Sequence, residues 1–282
     1  MKTRRSLPMA AVVSLFALPL SAATVPYFED FEGYALGNTA VTNFTEVSAL
    51  DWTIVGGSYS GQAYNDALSV FSPGIGSASG QGSSSGISLP SLSGSSFQIA
   101  TTFRINSLTV TGSDVTNTAN IGLFARAADA SPASTSADRY QVSYVLDDDG
   151  AGHATGRLWL RELNLFFGDS LNATSGAGLA VTVGDIYSLT LTGTDSGGSV
   201  ALLATLTNTI TLGSISVSAT DSSNLLGGAN FGYINALRVA NGGTVALNAD
   251  FDNFSAVVPM PGAAWLMVSA LGLLGLTRRR GQ

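Results

Sequence analysis

Apolar and polar residues alternate along much of the chain. Phe97, Ile99, Thr101 and Phe103 point one way in this pattern, and the residues between them point the other. A period of two predicts half-buried β-strands. The same alternation recurs in five later segments, 139–146, 156–163, 186–193, 199–207 and 209–218. No stretch from 24 to 258 sustains an apolar repeat of 3.6 residues, so helix is expected only at the two ends.

Turn residues separate these predicted strands. Residues 147–150 (Asp-Asp-Asp-Gly) and 195–198 (Asp-Ser-Gly-Gly) each predict a hairpin. About a dozen short strands at such spacing predict an all-β fold, an antiparallel β-sandwich or jelly roll, as one domain over 24–257. Residues 72–96 are Gly or Ser at 17 of 25 positions, which predicts a long flexible loop.

The first 23 residues have the pattern of a secretory signal peptide. Three basic residues precede an apolar stretch over 9–20, and small residues follow it. Ser21 and Ala23 fit the sites that a signal peptidase reads, which predicts cleavage after Ala23. A buried core helix is the alternative for this segment.

The last 25 residues have a different three-part pattern. Pro259, Met260 and Pro261 precede an uncharged run over 263–277, and an arginine cluster follows at 278–280. Fifteen residues are fewer than the roughly seventeen that a full membrane span needs. Arg278, Arg279 and Arg280 would hold the end of this predicted transmembrane helix on the cytoplasmic side.

This tail, residues 258–282, resembles the PEP-CTERM sorting signals of Gram-negative bacteria. The resemblance rests on the Pro-x-Pro motif, on Trp265 early in the predicted helix and on the terminal arginines, while Met260 replaces the Glu of the motif's name. It implies a precursor inserted transiently in the inner membrane and cut by an exosortase near residues 259–261. The product would lie at the cell surface, in the outer envelope or in the extracellular matrix. An uncleaved C-terminal anchor is the alternative.

Charge excludes one class of partner. The chain carries 19 carboxylates against 12 Lys and Arg, a formal net charge of −7. All the carboxylates but only six arginines lie between 24 and 258, so that part has a formal charge near −13. Phosphate backbones repel such a polyanion, and nucleic acid is therefore not expected as a partner. There is no cysteine, so disulfides do not stabilise this fold.

The part between the two ends resembles the laminin-G or concanavalin A-like lectin and glucanase sandwiches. The segments that carry this resemblance are 28–32 (Phe-Glu-Asp-Phe-Glu), 97–105, 121–126, the Tyr140 and Tyr144 hairpin, and 250–254 (Asp-Phe-Asp-Asn-Phe). It implies a lectin-like domain that associates with a glycan.

Enzymatic residues of that fold class are missing from the sequence. A glucanase of this kind is expected to carry a Glu-x-Asp-x-x-Glu strand, and none of the chain's four glutamates has that spacing. The string Gly-Ser-Ser-Ser-Gly at 82–86 lacks the strand before it and the helix after it that a nucleophile elbow needs. A lone histidine, His153, predicts neither catalysis nor zinc binding. We therefore predict a protein that is not an enzyme.

Trp159 is the first candidate for sugar contact. Leu158 and Leu160 occupy one face of their predicted strand, so Arg157, Trp159 and Arg161 occupy the other. An exposed aromatic ring beside polar groups is the usual platform for a sugar. Trp52, Tyr59 and Tyr64 are alternatives near a loop, and burial of Trp159 in the core is the competing interpretation.

Paired first and last strands would create a candidate calcium site. Such pairing is frequent in jelly rolls and would bring Glu32 near Asp252, with Asp30 and Asp250 close by. Calcium takes carboxylate and carbonyl oxygens as ligands. Related carbohydrate-binding modules hold a structural calcium at such a place. Ordinary edge-strand carboxylates are the alternative, and the aspartates at 147–149 are a second candidate.

Together these features predict an exported surface or matrix protein that associates with exopolysaccharide or another glycan. Its expected processing partners are signal peptidase and an exosortase-type membrane protease. The alternative is a structural or adhesive surface protein without sugar specificity. A hydrolase that uses Glu29 or Glu32 is a third hypothesis.

Overall fold

The computed structural model describes residues 25–30, 39–40, 43–44, 52–55, 57–59, 68–76, 79–111, 117–129, 138–148, 154–163, 171–223, 225–239 and 243–259. These residues include eighteen strands and one 3-10 turn, Pro90–Leu92. The strands are β1 (Tyr27–Glu29), β2 (Thr39–Ala40), β3 (Asn43–Phe44), β4 (Trp52–Val55), β5 (Gly57–Tyr59), β6 (Leu68–Gly76), β7 (Ser79–Ser88), β8 (Phe97–Thr111), β9 (Thr118–Ala127), β10 (Arg139–Asp148), β11 (Ala154–Leu163), β12 (Asn172–Thr174), β13 (Leu179–Ala180), β14 (Ile186–Asp195), β15 (Val200–Asn208), β16 (Ser214–Asp221), β17 (Asn230–Arg238) and β18 (Gly243–Val257).

The strands form two antiparallel sheets of nine strands each. Sheet A has the order β16-β15-β14-β8-β18-β6-β5-β2, and β1 pairs with β18. Sheet B has the order β12-β11-β10-β9-β17-β7-β4-β3, and β13 pairs with β11. The predicted all-β antiparallel sandwich is therefore confirmed.

The hydrophobic core lies between the two sheets because alternate side chains of each strand point inward. On β8, Phe97, Ile99, Thr101, Phe103 and Ile105 are buried, and the residues that alternate with them are partly exposed. Aromatic rings cross the gap between the sheets: the rings of Tyr233 on β17 and Phe251 on β18 stack with centroids 4.4 Å apart. Each ring removes a large apolar area from water, so these contacts stabilise the sandwich strongly.

The predicted strands are confirmed for 97–105, 139–146, 156–163 and 186–193, each inside a longer strand, and for 199–207 except that β15 begins one residue later, at Val200. Both predicted hairpins form, since β10 pairs with β11 and β14 pairs with β15. The expected pairing of an early strand with the last one is also present. Tyr27 on β1 lies opposite Ala256 on β18.

The prediction of a flexible loop over 72–96 was wrong. Most of this segment belongs to β6, β7 and the 3-10 turn. β7 lies inside sheet B, paired with β17 on one side and β4 on the other. Its backbone therefore gains two sets of ladder hydrogen bonds, which depend little on side-chain hydrophobicity. The string at 82–86 lies within this strand, away from any strand–turn–helix junction.

The prediction of a strand over 209–218 was wrong in its first half. β16 begins at Ser214, and the preceding residues turn the chain back from β15. The Asn208 Oδ1 accepts hydrogen bonds from the N–H groups of Ile210 and Thr211, at 2.9 and 3.0 Å. Leu212 has a φ of 62°. An asparagine side chain that caps backbone N–H groups favours a turn over a continuous strand.

The predicted signal peptide (1–23) and most of the predicted tail (258–282) lie outside the described residues. In the part of the chain that the structure does describe, no helix has the length and hydropathy to cross a membrane.

Candidate ligand-binding face

Three candidate residues lie side by side on β11, on the face of sheet B that points away from the core. Leu158 and Leu160 are fully buried in the core, as the alternation predicts. Arg157 is exposed, and Trp159 and Arg161 are partly exposed. We call Arg157, Trp159 and Arg161 the arginine–tryptophan face.

Two contacts fix the orientation of Trp159. Its indole Nε1–H donates a hydrogen bond to the Oδ1 of Asn172 on β12, at 2.6 Å. The guanidinium carbon of Arg161 lies 4.3 Å from the centroid of the Trp159 ring, which is a cation–π contact. The ring is thereby held in one position at the surface before any ligand arrives.

A row of buried polar side chains on β10 runs beside this face. Arg139, Gln141 and Ser143 are each at most 2% exposed. The Arg139 Nε–H donates to Gln141 Oε1 at 2.9 Å, and Gln141 Nε2–H donates to Ser143 Oγ at 2.7 Å. In the register of the hairpin, Gln141 lies opposite Arg161 and Ser143 lies opposite Trp159. The polar row therefore adjoins the arginine–tryptophan face directly.

Gly122 on β9 lets this part of the sheet form. A Cβ built on Gly122 would overlap the backbone carbonyl oxygen of Val142. No residue with a side chain fits there without moving β9 away from β10. Gly122 lies opposite Ser143 of the polar row.

Sequence reasoning did not identify Arg139, Gln141, Ser143 or Asn172 as part of a site. The sequence does contain a signal for the three residues of β10, because they alternate with Tyr140, Val142 and Tyr144, which the pattern places in the core. The pattern distinguishes the two faces of a strand but not a solvated polar face from a buried one. Asn172 follows a segment without alternation, and only the pairing of β12 with β11 brings it to Trp159.

Asp250 and Asp252, two of the three aspartates of the predicted calcium site, lie on β18, on the outer face of sheet A. Asp250 is fully buried and pairs with Arg104, with Nη2 and Oδ2 2.8 Å apart. The Asp252 carboxylate accepts hydrogen bonds from the backbone N–H and the Nδ2–H of Asn253, both at 2.7 Å. Asp30 follows β1 directly.

Calcium binding at these aspartates stays a prediction. Glu32 lies outside the described residues, so the predicted set of four oxygen ligands is incomplete here. Within the described ranges, no group of three or more His, Cys, Asp and Glu side chains has a geometry that could hold a metal ion. His153 and the side chains of Trp52, Tyr59 and Tyr64 also lie outside the described residues.

One ion pair between a buried arginine and a partly exposed aspartate connects sheet B to sheet A. Arg126 is 1% exposed and lies 2.8 Å from the Asp195 carboxylate at the end of β14. The N–H of Gly197 and the Arg126 guanidinium both donate hydrogen bonds to this carboxylate and hold the pKa of Asp195 below its ordinary value. The guanidinium also donates to the carbonyls of Ser95 and Leu226. These contacts fasten one end of the sandwich and give the pair a structural role.

Two buried tyrosines are protonated at any ordinary pH. Burial raises the pKa of Tyr140, and its 2.6 Å hydrogen bond to the Asp221 carboxylate raises that pKa further. Burial also raises the pKa of Tyr144, whose hydroxyl donates to the carbonyl of Leu179. Both hydroxyls therefore act as hydrogen-bond donors that hold neighbouring segments.

Glu29, a carboxylate of the hydrolase hypothesis, lies on β1. It is 8% exposed and accepts a 3.3 Å hydrogen bond from the hydroxyl of Tyr27. Its strand pairs with β18 in sheet A, whereas the arginine–tryptophan face belongs to sheet B. Glu29 and the arginine–tryptophan face are therefore separate features of the molecule.

No protein-family model matches the chain, and no curated protein sequence matches it. Among solved structures, the acidic lectin of winged bean with bound methyl-α-D-galactose is 8% identical, with a TM-score of 0.46, and the match covers 82% of this chain and 98% of the lectin. Lectin II from Ulex europaeus is 10% identical, with a TM-score of 0.40, over 82% of this chain and 98% of that one.

A mutant of the alginate lyase Aly36B in complex with an alginate trisaccharide is 12% identical, with a TM-score of 0.47, over 84% of this chain and 100% of the lyase. The similar structures thus include sugar-binding proteins and an enzyme. At these identities and scores the likenesses do not assign the chain to a family, and no activity is carried over from them.

Proposed function

We propose that this chain is an exported surface or matrix protein that binds a glycan through the arginine–tryptophan face of sheet B. The observation that carries the proposal is the fixed, partly exposed ring of Trp159 between two arginines. An aromatic ring held in place offers a sugar an apolar surface, and the neighbouring N–H donors match its hydroxyl groups. The contacts that hold the ring reduce the entropy lost on binding.

The proposal for the location rests on the two ends of the sequence. The signal-peptide pattern at 1–23, with Ser21 and Ala23, supports export. The Pro259–Met260–Pro261 motif, Trp265 and the terminal arginines support sorting by an exosortase. A glycan-binding domain delivered to the exterior would attach to the exopolysaccharide or to another envelope glycan there.

A glycan array tests the binding. The purified full chain is applied to polysaccharides of diverse composition, once with calcium and once with a chelator. We expect retention on at least one polysaccharide. A requirement for calcium would support the predicted site at Glu32, Asp30, Asp250 and Asp252. A complete lack of retention in both conditions would remove the proposed function.

The intact mass of the protein from its native host tests the sorting. We expect a mass that corresponds to a start at Thr24 and an end near residues 259–261. A cytosolic protein that still ends at Gln282 would contradict export and exosortase processing together. This measurement is independent of the glycan array.

A structural or adhesive role without sugar specificity is the alternative, and β16 is the feature that favours it. This strand is at the edge of sheet A, and its outward residues are serines and threonine. Edge strands present backbone N–H and C=O groups that can pair with another chain. Light scattering at increasing protein concentration distinguishes the two roles, since the adhesive role requires growing oligomers without any glycan.

A further inference from the structure

β16 differs in length from the other strands at which the described sheets end. Sheet A ends at β16 and β2, and sheet B ends at β12 and β3. β2 and β3 have two residues each and β12 has three, whereas β16 has eight. Proteins usually prevent pairing between chains with short edge strands, lysines, prolines or bulges. β16 contains no lysine or proline, and its pairing with β15 shows no register shift.

The backbone of β16 presents hydrogen-bonding groups on the side away from β15. The N–H of Asn208 donates to the carbonyl of Gly213 at 2.9 Å, at the start of the β15–β16 ladder. Hydrogen-bonded pairs alternate along an antiparallel ladder, so Ile215 and Val217 direct their backbone groups to β15. The residues that direct theirs away from β15 are all exposed: Ser214, Ser216, Ser218 and Thr220.

The side chains of β16 have the same order when the strand is followed in either direction from Val217. Ser216 and Ser218 come next on the two sides, then Ile215 and Ala219, then Ser214 and Thr220. An antiparallel pair of two such strands therefore places hydroxyl groups opposite hydroxyl groups and apolar groups opposite apolar groups. Cross-strand pairs of these kinds stabilise a sheet. The sequence of β16 is thus complementary to itself.

Charge also favours contact between two copies at this edge. Residues 196–220 contain no charged side chain, although the part of the chain between 24 and 258 has a formal charge near −13. Two copies of such an acidic chain repel each other. The repulsion is smallest where the facing surfaces carry no charge, which is the case for the β15–β16 hairpin.

The turn before β16 adds an exposed apolar side chain to the same edge. Leu212 is 76% exposed and has a φ of 62°. Its N–H donates to the carbonyl of Asn208 at 2.9 Å, in the bulge position that glycine usually occupies. Leucine is unfavourable there both for its backbone conformation and for its exposure to water. A protein surface that covers Leu212 would offset the second cost.

From the length, self-complementarity and lack of charge of this strand, we infer that β16 is the interface of a homodimer, in which two copies pair antiparallel about a two-fold axis at Val217. Ser216 of one copy then lies opposite Ser218 of the other, with about eight backbone hydrogen bonds across the interface. Leu212 comes to lie beside the segment that follows β16 in the second copy. Because both edges are used in the pairing, assembly stops at two copies, in contrast to the growing oligomers of an adhesive protein.

The dimer has a consequence for glycan binding, which rests on the function proposed above. A two-fold axis that relates paired antiparallel strands is perpendicular to their sheet, so the two copies of sheet B lie on the same side of the joined sheets A. β16 packs opposite β11 and β12. The two arginine–tryptophan faces therefore point in the same direction, close to the axis. One polysaccharide can contact both faces, and this raises the overall affinity without any new contact.

Sedimentation velocity tests the dimer without any glycan. The full chain is measured over about a hundredfold range of concentration. We expect the mass to rise from that of one chain to that of two, and no further. A mass of one chain at every concentration would overturn the dimer. A mass that continues to rise beyond two chains would overturn the closed assembly and support the adhesive role.

Paired charge substitutions test the interface and its register. Ser216→Glu combined with Ser218→Glu places like charges opposite each other, and we expect the dissociation constant of the dimer to increase about tenfold or more. Ser216→Lys combined with Ser218→Glu places opposite charges together and should retain the dimer. Ala201→Glu combined with Leu203→Glu is the matched control. It adds the same charge at the same spacing, on exposed positions of the neighbouring strand β15.

Each result of this comparison bears on the proposal. An undiminished dimer in the variant with two glutamates on β16 would overturn the pairing of these strands. An equal loss in the control on β15 would overturn the assignment to this edge. Loss of the dimer in the variant with lysine and glutamate would overturn the register about Val217. All six substituted side chains are on the surface, and thermal unfolding of each variant checks that it folds.

Retention on an immobilised polysaccharide tests the consequence for binding. With a polysaccharide that retains the chain on the glycan array, the variant with two glutamates on β16 should dissociate faster than the variant with lysine and glutamate. Equal rates would overturn the shared contact of the two faces and leave the dimer in place. A lack of binding to any polysaccharide would overturn the proposed function, while the sedimentation result would still decide the dimer.

Discussion

At the scale of single residues, Trp159 combines an accessible ring with a fixed position. Asn172 holds the indole N–H, and Arg161 covers one side of the ring. The alternation of β11 predicts the outward direction of Trp159 from sequence. Its fixation was not predictable, because Asn172 is brought to it by strand pairing across a segment that carries no periodic pattern.

Replacing Trp159 should affect the glycan more than the fold. We expect Trp159→Ala to weaken glycan binding about tenfold or more, because the apolar surface under the sugar is lost. Trp159→Phe keeps a smaller aromatic ring and loses the hydrogen bond to Asn172, so its affinity should fall less than that of Trp159→Ala. Titration with a glycan that the array identifies measures both. An unchanged affinity in Trp159→Ala would place the binding site elsewhere.

The Arg126–Asp195 pair was beyond the reach of sequence reasoning. Its partners are 69 residues apart and belong to different sheets. Arg126 also has a φ of 51°, a conformation that is uncommon for a residue with a side chain. The guanidinium of Arg126 donates hydrogen bonds to the carbonyls of Leu226 and Ser95, which hold the residue in place. These bonds form only in the folded sandwich.

This pair should make stability depend on pH in the acidic range. The pKa of Asp195 is lower in the folded protein than in the unfolded chain, because Gly197 and Arg126 donate hydrogen bonds to the charged carboxylate. Its stabilisation is therefore complete above the unfolded pKa, about 4, and is lost as the pH falls through the folded pKa. We expect Asp195→Asn to lower the free energy of unfolding by about 2 kcal/mol at pH 7. Urea denaturation should show this difference shrinking below about pH 4, and a difference that is constant with pH would contradict the role of the charge.

At the scale of elements, strands with strong alternation were predictable, and β7 was not. The side-chain pattern of β8, β10, β14 and β15 carries the information about which face is buried. β7 consists mostly of Gly and Ser, so its sequence resembles that of a linker. It is a strand because β4 and β17 supply partners on both sides, which is a property of the sheet and not of the segment.

A proline within β7 tests this correction. Ser85 lies opposite Tyr233 on one neighbouring strand and Ile54 on the other. Ser85→Pro removes a backbone donor inside the sheet, and we expect a loss of about 3 kcal/mol in the free energy of unfolding. Ser222→Pro, at an exposed position just after β16, is the control and should cost much less. Equal, small effects in urea denaturation would indicate that residues 79–88 behave as a loop.

The close approach of β9 and β10 gives a second test at this scale. We expect Gly122→Ala to destabilise the protein by about 3 kcal/mol, because the new methyl group would overlap the Val142 carbonyl. The matched control is Gly198→Ala in the β14–β15 turn, where an added Cβ meets no atom within 4 Å. Comparable thermal unfolding temperatures for the two variants would contradict the packing described for this part of the sheet.

At the scale of the whole molecule, the sandwich divides stability and recognition between its faces. The inner faces of the two sheets form one continuous core, whereas the outer face of sheet B carries the buried polar row and the arginine–tryptophan face. The all-β architecture and its hairpins follow from the spacing of strands and turns. The order of strands within each sheet does not, because neighbours such as β8 and β18 are far apart in sequence.

Hydrogen exchange with and without a bound polysaccharide tests the central claim most directly. Mass spectrometry of the full chain should show slower amide exchange in β11 and β12 when the polysaccharide is present, and unchanged exchange in β16. Slower exchange that is confined to sheet A, or none at saturating polysaccharide, would contradict glycan binding at the arginine–tryptophan face.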